Sequence, residues 1–460
     1  MTPHWISICA LIDMFVLATA LPINMGVIAF VGAFLVGTLV AGMNAKAIMG
    51  GFPADLFLTL VGITYLFALA QNNGTIDWLV RLAVRAVRGR IAAIPWIMFL
   101  IAALLTAVGA VSPAAVAIIA PIALGFAARY GINPLMMGLM VVHGAQGGGF
   151  SPISIYGGIT NKIVAKAGLP LNETVTMLAS LGVNLSVALL LFLVFGGAKL
   201  MRQRAGADGA VDAVPAVPRV AHGQGGAQVY GDAEGESFAE ERRAAAPGAD
   251  SLLDAPGAGP AATGSPLERM ATVVGLVALA VLTLFFKQDI GFVSITIGLV
   301  LTLMSPNLQK RALGQVSWPE IMLIVGVSTY VGVMDKMGTI DFVGHSVAGL
   351  TSPLVAALLL CFVGAVVSAF ASSTAVLGSL IPLAVPFLQG DAGVGAVGFI
   401  AAMAVSSTIV DVSPFSTNGA LVLANARGID RDVFFRQLMV YGAIVTVVAP
   451  VVVWLLFVVL

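Results

Sequence analysis

The sequence predicts an all-α polytopic membrane protein made of two inverted repeats, each with five spanning helices and one re-entrant hairpin. Three observations predict this fold: an apolar composition, a set of motifs that occurs twice, and a one-sided distribution of basic residues. The chain of 460 residues is 59% hydrophobic and 10% charged, with a mean hydropathy of +1.03. A soluble domain carries roughly 25% charged residues, so this composition favours a protein that lies within a lipid bilayer.

The apolar segments predict ten spanning helices. Many of them approach or exceed the ~20 residues that cross a bilayer as a helix. Only His4 precedes the first run as a candidate basic residue, so a first spanning helix is favoured over a signal peptide. The predicted spans are 5–21, 24–43, 54–72, 135–165 and 174–200 in the first set, then 268–286, 290–304, 320–335, 394–426 and 433–460 in the second.

A further apolar block precedes the fourth span of each set, at 91–128 and at 353–388. Small and polar residues interrupt each block near its middle. Each block is therefore either a re-entrant hairpin or a pair of full spans. Both alternatives return the chain to the side that it left, so the predicted topology is the same for either.

The segment 201–267 separates the two sets and has a different composition. It is rich in alanine, glycine, proline and charged residues, which cannot bury a hydrophobic core. We therefore predict a first repeat at 1–200, a disordered linker at 201–267 and a second repeat at 268–460.

Short motifs recur in one order at nearly one spacing, which indicates an internal repeat. The tetrapeptide Gly-Thr-Ile-Asp occurs at 74–77 and again at 338–341. The pattern Ser-Pro-x-Ser-x-x-Gly occurs at 151–157 and again at 413–419. Because each set has an odd number of spans, the second copy enters the membrane from the opposite side.

The basic residues support this inverted arrangement. With the linker on one side, most Lys and Arg residues of both repeats fall on that same side, from Arg81 to Arg204 and from Arg269 to Arg436. Cytoplasmic loops carry the excess of Lys and Arg. The linker is therefore predicted to be cytoplasmic and both termini periplasmic.

The charge balance and the cysteines exclude other classes of protein. The 22 basic and 22 acidic residues give no net charge, so nothing attracts the chain to nucleic acid. Cys9 and Cys361 both lie in apolar runs, which is typical of small buried residues and not of a disulfide or a metal site.

The first pair of candidate site segments lies at the middle of the two apolar blocks. One tip contains Ser112 and Pro113, and the other contains Ser372, Ser373 and Thr374. A chain that reverses within a membrane leaves backbone groups unpaired, and the N-termini of the following half-helices offer N–H donors to an anion. The hydroxyl groups add neutral donors at the same place.

The second pair of candidate segments lies within the fourth span of each set. Three consecutive glycines precede Ser151 and Pro152, and a Ser-Pro step follows Asp411 at Ser413. Both features disfavour a continuous helix. The polar residues near these breaks are Ser151, Ser154 and Asn161 in the first repeat, and Asp411, Ser413, Ser416, Thr417 and Asn418 in the second.

Asp411 stands out because an ionisable group at this depth is costly and is a functional hypothesis by default. Three roles stay open: a ligand of Na⁺ together with Ser151 and Ser413, a carrier of a coupling proton, or a cap on the next half-helix. Its position in the first repeat is taken by Gly149, so its role is asymmetric. His143 lies beside the first break, where a packed neutral histidine is favoured over a binding residue.

At these tips and loops the chain resembles the ion transporter superfamily, and more closely the bacterial malonate and dicarboxylate carrier family, which is related to the divalent anion:sodium symporters. The resemblance covers both repeats. It implies a homodimer in the bacterial inner membrane and elevator-type alternating access, with sodium and dicarboxylate bound by the tips and the loops. The sodium symporters carry Ser-Asn-Thr at both tips, and this chain has no Asn at either. The coupling ion, Na⁺ or H⁺, therefore stays open.

The sequence thus predicts cation-coupled uptake of a small dicarboxylate such as malonate or succinate, with no resident cofactor. An efflux carrier for another anion is the alternative within the same superfamily, and a passive channel is a further one. An intramembrane hydrolase is disfavoured because the sequence has no Gly-x-Ser-x-Gly elbow and no His-Glu-x-x-His motif. The absence of a P-loop disfavours ATP-driven transport by the chain itself.

Overall fold

A computed structural model describes residues 2–21, 23–86, 90–201, 265–350, 352–370, 373–389, 394–426 and 429–460. The predicted linker lies almost entirely outside the described residues, and so does Ser372. Within the described residues every regular element is a helix. The helices of the first half are α1 (Pro3–Ala20), α2 (Met25–Leu35), α3 (Ala45–Met49), α4 (Ala54–Asn72), α5 (Thr75–Ala86), α6 (Ala93–Ala107), α7 (Ser112–Tyr130), α8 (Pro134–Gly148), α9 (Ile155–Lys166), α10 (Glu173–Val194) and α11 (Gly197–Met201).

The described part of the second half is also helical. Its helices are α12 (Pro266–Leu284), α13 (Ile290–Met304), α14 (Gln309–Gly314), α15 (Trp318–Lys336), α16 (Thr339–Leu350), α17 (Pro353–Phe370), α18 (Ser373–Gln389), α19 (Ala396–Ile409), α20 (Thr417–Ala424) and α21 (Arg431–Trp454). Single π-helical turns extend α2 over Val36–Val40 and α21 over Leu455–Val459.

Short polar side chains begin many of these helices. Each accepts a hydrogen bond from a backbone N–H of the first turn, which satisfies a donor that has no partner within the helix. The Ser265 hydroxyl and the Glu268 carboxylate form a reciprocal capping box at the start of α12. The other side chains that cap in this way include Asn24, Asn133, Asn172, Ser154, Asp289, Ser416 and Asp430.

The recurring Gly-Thr-Ile-Asp motif has one local structure in both halves. Gly74 has φ +74° and Gly338 has φ +70°, in the left-handed region that favours glycine. Each glycine ends a long helix, and the next helix begins at the following Thr. The sequence repeat therefore marks the same turn twice.

The helix lengths support a multi-pass membrane protein. Among the described residues, five helices are long and apolar enough to cross a membrane, and a bent pair, Ile290–Met304 with Pro306–Gly314, raises the number to six. The five are Ala54–Asn72, Ser112–Tyr130, Glu173–Val194, Pro266–Leu284 and Arg431–Val459. Shorter apolar helices, such as Met25–Val40 and Ala396–Ile409, are also present. Large apolar side chains are exposed along α10, α12, α13 and α21, as expected for surfaces that face lipid.

The two halves pack against each other reciprocally. Helix α2 of the first half packs against α15 of the second, and α13 of the second packs against α4 of the first. A Cβ atom on Gly26 would lie 2.0 Å from the Met322 carbonyl oxygen, and one on Gly62 would lie 2.8 Å from the Gly291 carbonyl oxygen. Glycine at these crossings lets the helix backbones touch, as in other membrane helix pairs.

The broken helices lie at the centre of the molecule. Residues Leu135 to Gly148 of α8 and Phe399 to Ile409 of α19 are all buried. Helix α8 packs against α6, α7 and α10, and α19 packs against α17, α18 and α21. A helix that is apolar and buried on every side is core, so the polar residues that end α8 and α19 are held deep inside the protein.

Candidate functional site

Each hairpin presents the N-terminus of a helix at its tip. In the first hairpin, residues 108–111 join α6 to α7, and Ser112 and Pro113 occupy the first turn of α7. Proline suits this position because the first-turn N–H groups have no partner within the helix. In the second hairpin, α18 begins at Ser373. Both tips therefore place the first turn of a helix and a buried serine hydroxyl in the interior.

A serine hydroxyl ties each broken helix to the adjacent hairpin. The Ser151 hydroxyl donates to the Ala107 carbonyl oxygen at 2.6 Å. The Ser413 hydroxyl donates to the Ala369 carbonyl oxygen at 2.8 Å. Each acceptor lies near the C-terminal end of the first helix of its own hairpin, which is α6 for Ala107 and α17 for Ala369. Carbonyl groups at such helix ends lack helical partners. The two Ser-Pro loops thus form the same contact in each half.

The second serine and the glycine of each motif form the start of the helix that follows the break, which is α9 in the first half and α20 in the second. The Ser154 side chain accepts a hydrogen bond from the Gly157 N–H at 3.2 Å, and the Ser416 side chain accepts one from the Gly419 N–H at 3.4 Å. A Cβ atom on Gly157 would lie 2.0 Å from the Ser151 carbonyl oxygen, and one on Gly419 would lie 1.9 Å from the Ser413 carbonyl oxygen. The glycine of the motif is therefore needed for the loop to fold back on its own helix.

Asp411 lies at the second break and is almost fully buried. Its Oδ1 accepts a hydrogen bond from the Asn418 backbone N–H at 3.1 Å, so the carboxylate caps α20, which was one of the three roles left open by the sequence. Its Oδ2 accepts from the Asn418 amide at 2.9 Å and from the Gln146 amide at 3.2 Å. The carboxylate thus joins the ends of both broken helices.

The tips reach the broken helix of the opposite half. The Asn418 amide donates to the Ser112 hydroxyl at 2.8 Å, which links the second loop to the first tip. The Tyr156 side chain of α9 lies close to the Ser112 and Ser373 side chains. The packing of the helices agrees, because α7 contacts α20 and α18 contacts α9. Both tips and both loops therefore meet at one point.

Two polar atoms beside Asp411 are buried without a hydrogen-bond partner among the described residues. They are the side-chain carbonyl oxygens of Gln146 and Asn418. Both amides turn their NH₂ groups to the same carboxylate oxygen. A buried acceptor without a partner costs free energy, so each such atom in a folded protein calls for an explanation.

The remaining predicted residues lie at different distances from this centre. Ser373 and Ser416 lie beside the Asp411 carboxylate, and Thr374 is buried next to Ser373. Pro113 is half-buried, Asn161 is buried on α9, and Thr417 is exposed. Ser151 and Ser413 brace the hairpins, and the contacts of their hydroxyls run to the hairpins and not to Asp411. Ser372 lies outside the described residues.

His143 is buried in α8 and has a partner at each ring nitrogen. Its Nδ1 lies 2.8 Å from Asn184 Oδ1, and its Nε2 lies 2.6 Å from the Tyr441 hydroxyl. A neutral imidazole that donates from Nδ1 and accepts at Nε2 satisfies both contacts. These contacts fit the packed neutral histidine favoured by the sequence and join α8 to α10 and α21.

A small cavity of about 40 Å³ reaches the first tip. It is lined by Ala110, Val111 and Ala114 at the tip, and by Gln71, Gln315 and Ser317 at the other end. Ala114 is exposed, whereas Ala375 at the second tip is buried. The first tip therefore lines this cavity together with residues at the end of α4.

Sequence reasoning missed two residues of the site, Gln146 and Tyr156. Both are buried next to the first break. The signal for Tyr156 was present, because it lies 262 positions before Asn418, the spacing that separates the two Ser-Pro motifs. The signal for Gln146 was an amide side chain in an otherwise apolar helix, three residues before the break.

Two broken helices that face two hairpin tips around a buried carboxylate define a membrane transporter, since such folds bind their cargo at discontinuous helices. Residues 1–149 match the family described as the N-terminus of the dicarboxylate carrier protein MatC. The resemblance to the dicarboxylate carrier family is therefore confirmed over that part of the chain. No curated protein sequence matches the chain.

Two solved structures share the fold. The YdaH transporter of Alcanivorax borkumensis, which has an unusual topology, aligns with a TM-score of 0.58 at 14% identity, over 99% of this chain and 98% of that one. MtrF of Neisseria gonorrhoeae, from a class of antimetabolite efflux pumps, aligns with a TM-score of 0.57 at 13% identity, over 100% and 96% of the two chains. Family and structural relatives are transporters, so the chain is assigned to this class and not to the enzymes.

Proposed function

We propose that this chain is a secondary active transporter that couples the uptake of a small dicarboxylate, such as malonate or succinate, to a cation. The observation that carries the proposal is the buried Asp411 carboxylate at the point where both tips and both loops meet. Asn418 and Gln146 contact it directly. The match of residues 1–149 to the dicarboxylate carrier family supports the choice of substrate class.

The cation is expected at Asp411. An isolated charge buried in protein is costly, and Na⁺ or H⁺ neutralises it. If the side-chain amides of Gln146 and Asn418 each rotate by 180°, the NH₂ group and the oxygen of each amide change places. Two acceptor oxygens then point toward the carboxylate, where the cation would bind. One carboxylate with neutral oxygens suits a monovalent cation better than Ca²⁺, which takes several carboxylate ligands. The two unpaired amide oxygens are explained if they serve the cation.

The substrate is expected beside the tips. Helices α7, α9, α18 and α20 begin around the same point, and helix N-termini stabilise anions through their N–H groups. The hydroxyls of Ser112, Ser373 and Tyr156 add neutral donors. A dicarboxylate there would repel an ionised Asp411 in a medium of low dielectric. Neutralisation of Asp411 by the cation removes this repulsion, and that linkage would couple the two cargoes.

Transport is proposed to proceed by an elevator movement within a homodimer of the bacterial inner membrane. The two halves, 1–200 and 268–460, would be inverted repeats joined by the cytoplasmic linker 201–267. Their reciprocal packing supports the repeat, and the distribution of Lys and Arg supports the orientation, with both termini periplasmic. The cavity that reaches the first tip from the end of α4 would then open to the cytoplasm.

The alternative is an efflux carrier for another anion. The fold shared with MtrF favours it, since MtrF belongs to a class of antimetabolite efflux pumps. Cells that lack the transporter separate the two proposals. Loss of malonate or succinate uptake supports the dicarboxylate symporter, whereas normal uptake with accumulation of another anion supports efflux.

A further inference from the structure

The two loops of the site are related position by position, with a spacing of 262 residues. At this spacing Ser151 matches Ser413, Ser154 matches Ser416 and Gly157 matches Gly419. Each half has the serine-to-hairpin bond and the serine-to-glycine cap described above. The positions that differ are therefore informative, because the backbone around them is shared.

The cation-binding positions are the ones that differ. Asp411 of the second loop corresponds to Gly149 of the first, and Asn418 corresponds to Tyr156. The first loop thus lacks both the carboxylate and one of the amides. Gly149 has φ −65° and ψ −13°, a conformation that any L-residue adopts. The backbone does not require glycine there.

The tyrosine ring occupies the space where a carboxylate would project. A Cβ atom built on Gly149 would lie 2.8 Å from the Tyr156 Cδ2 atom. The Tyr156 side chain is buried and packs against Phe150, with the ring centroids 5.5 Å apart. The ring is thus fixed over Gly149, and the side chain lies close to the serines of both tips.

We infer that each protomer has a single cation site of the Asp411 type, and that Tyr156 fills the symmetry-related position in the first loop. This inference rests on the proposed function and goes beyond it by assigning the number of cations. In the first loop, the neutral side chain of Tyr156 thus occupies the position that the cation would take in the second loop. One half of the pseudo-symmetric site therefore keeps a hydroxyl for the substrate, and the other half holds the cation.

Binding of radiolabelled sodium to the purified full-length protein tests the inference. We expect about one sodium ion per protomer and a Hill coefficient near one for sodium activation of transport. Asp411→Asn is expected to remove the bound sodium entirely. Two ions per protomer, or half of the binding left in Asp411→Asn, would overturn the single site and leave cation-coupled transport standing.

Introducing the Asp and Asn of the second loop at Gly149 and Tyr156 of the first loop tests the role of Tyr156. We expect Gly149→Asp alone to unfold or aggregate, because the new side chain meets the ring. The double variant Gly149→Asp/Tyr156→Asn is expected to recover a monodisperse protein and to bind about two sodium ions. Tyr156→Phe keeps the ring and is the matched control, with one ion expected. A Gly149→Asp protein as stable as wild type, or a folded double variant that still binds one ion, would show that Tyr156 does not fill the site.

The failure of the inference is distinguishable from the failure of the proposed function. Wild-type protein that binds no sodium while counterflow is indifferent to sodium contradicts the sodium site and the inference together, and it leaves proton coupling. Protein that shows no counterflow of any dicarboxylate contradicts the proposed function, whatever its sodium stoichiometry.

Discussion

At the scale of single residues, the proposed function assigns the coupling of transport to the charge of Asp411. We predict that Asp411→Asn lowers sodium-stimulated uptake at least about tenfold, because loss of a charged partner is worth roughly 1.5–3 kcal/mol. Uptake in proteoliposomes, with sodium or with choline, measures the effect. Asp13→Asn is the matched control, since Asp13 is exposed on α1. Sodium stimulation that survives in Asp411→Asn would contradict the role of the carboxylate.

Gln146 is predicted to tune cation affinity through its amide. Gln146→Met keeps the length of the side chain but removes the polar group beside the Asp411 carboxylate. We expect the sodium concentration for half-maximal uptake to rise about tenfold, which corresponds to about 1.4 kcal/mol. Gln309→Met, at an exposed position, controls for the substitution itself. An unchanged half-maximal concentration would exclude Gln146 from the site.

At this scale, the sequence singled out most of the residues that the structure brings together at the candidate site, and the misses have a physical cause. Asp411, Ser112 and Ser373 were found because polar groups within a membrane span are costly and conspicuous. Tyr156 was missed because an aromatic residue in an apolar helix resembles ordinary core, and its hydroxyl gains meaning only from the two tips around it. The sodium grouping of Ser151 and Ser413 with Asp411 remains a prediction, although their hydroxyls contact the hairpins.

At the scale of elements, the two Ser-Pro loops depend on the glycine that ends each motif. We predict that Gly157→Ala and Gly419→Ala each destabilise the protein by roughly 1–3 kcal/mol or more, because a Cβ would overlap a backbone carbonyl that cannot give way. The apparent unfolding temperature in detergent measures the loss.

The adjacent Gly158 supplies the control for this prediction. No atom would lie within 4 Å of a Cβ on Gly158, and the equivalent position in the second half is already Ala420. Gly158→Ala is therefore expected to leave the unfolding temperature unchanged. Equal stability of Gly157→Ala and Gly158→Ala would show that the close approach in the loop does not matter.

The sequence predicted the helix breaks at places where the composition changes sharply. The breaks within the fourth spans were predicted from glycine and Ser-Pro steps, and the structure has breaks between α8 and α9 and between α19 and α20. The sequence patterns did not predict which helices of the two halves meet, such as α7 with α20. These contacts depend on how two halves far apart in sequence pack together, which local periodicity does not encode.

At the scale of the whole molecule, the distribution of Lys and Arg predicts the orientation in the membrane. In a protein with Cys9 and Cys361 replaced by Ala, we predict that an impermeant maleimide labels Lys46→Cys on intact bacterial cells. Lys310→Cys should be labelled only after lysis, because it lies on the side with the basic excess. Both positions are exposed. The opposite pattern would reverse the topology and place the linker outside the cell.

The proposed repeat would account for the occurrence of the same short motif in both halves of the chain. Each half supplies a tip and a broken helix, and each tip meets the broken helix of the other half. The site therefore lies where the two halves meet, and a movement of this central body would carry the whole site. The asymmetry between Asp411 and Gly149 gives the two halves different tasks.

The central claim is cation-coupled transport of a dicarboxylate, and counterflow of radiolabelled malonate in proteoliposomes tests it most directly. The account predicts counterflow that depends on sodium, or on a proton gradient when choline replaces sodium, and that is abolished or uncoupled in Asp411→Asn. Absence of counterflow for malonate, succinate and other small dicarboxylates under every cation gradient would contradict the claim and favour an efflux carrier for another anion.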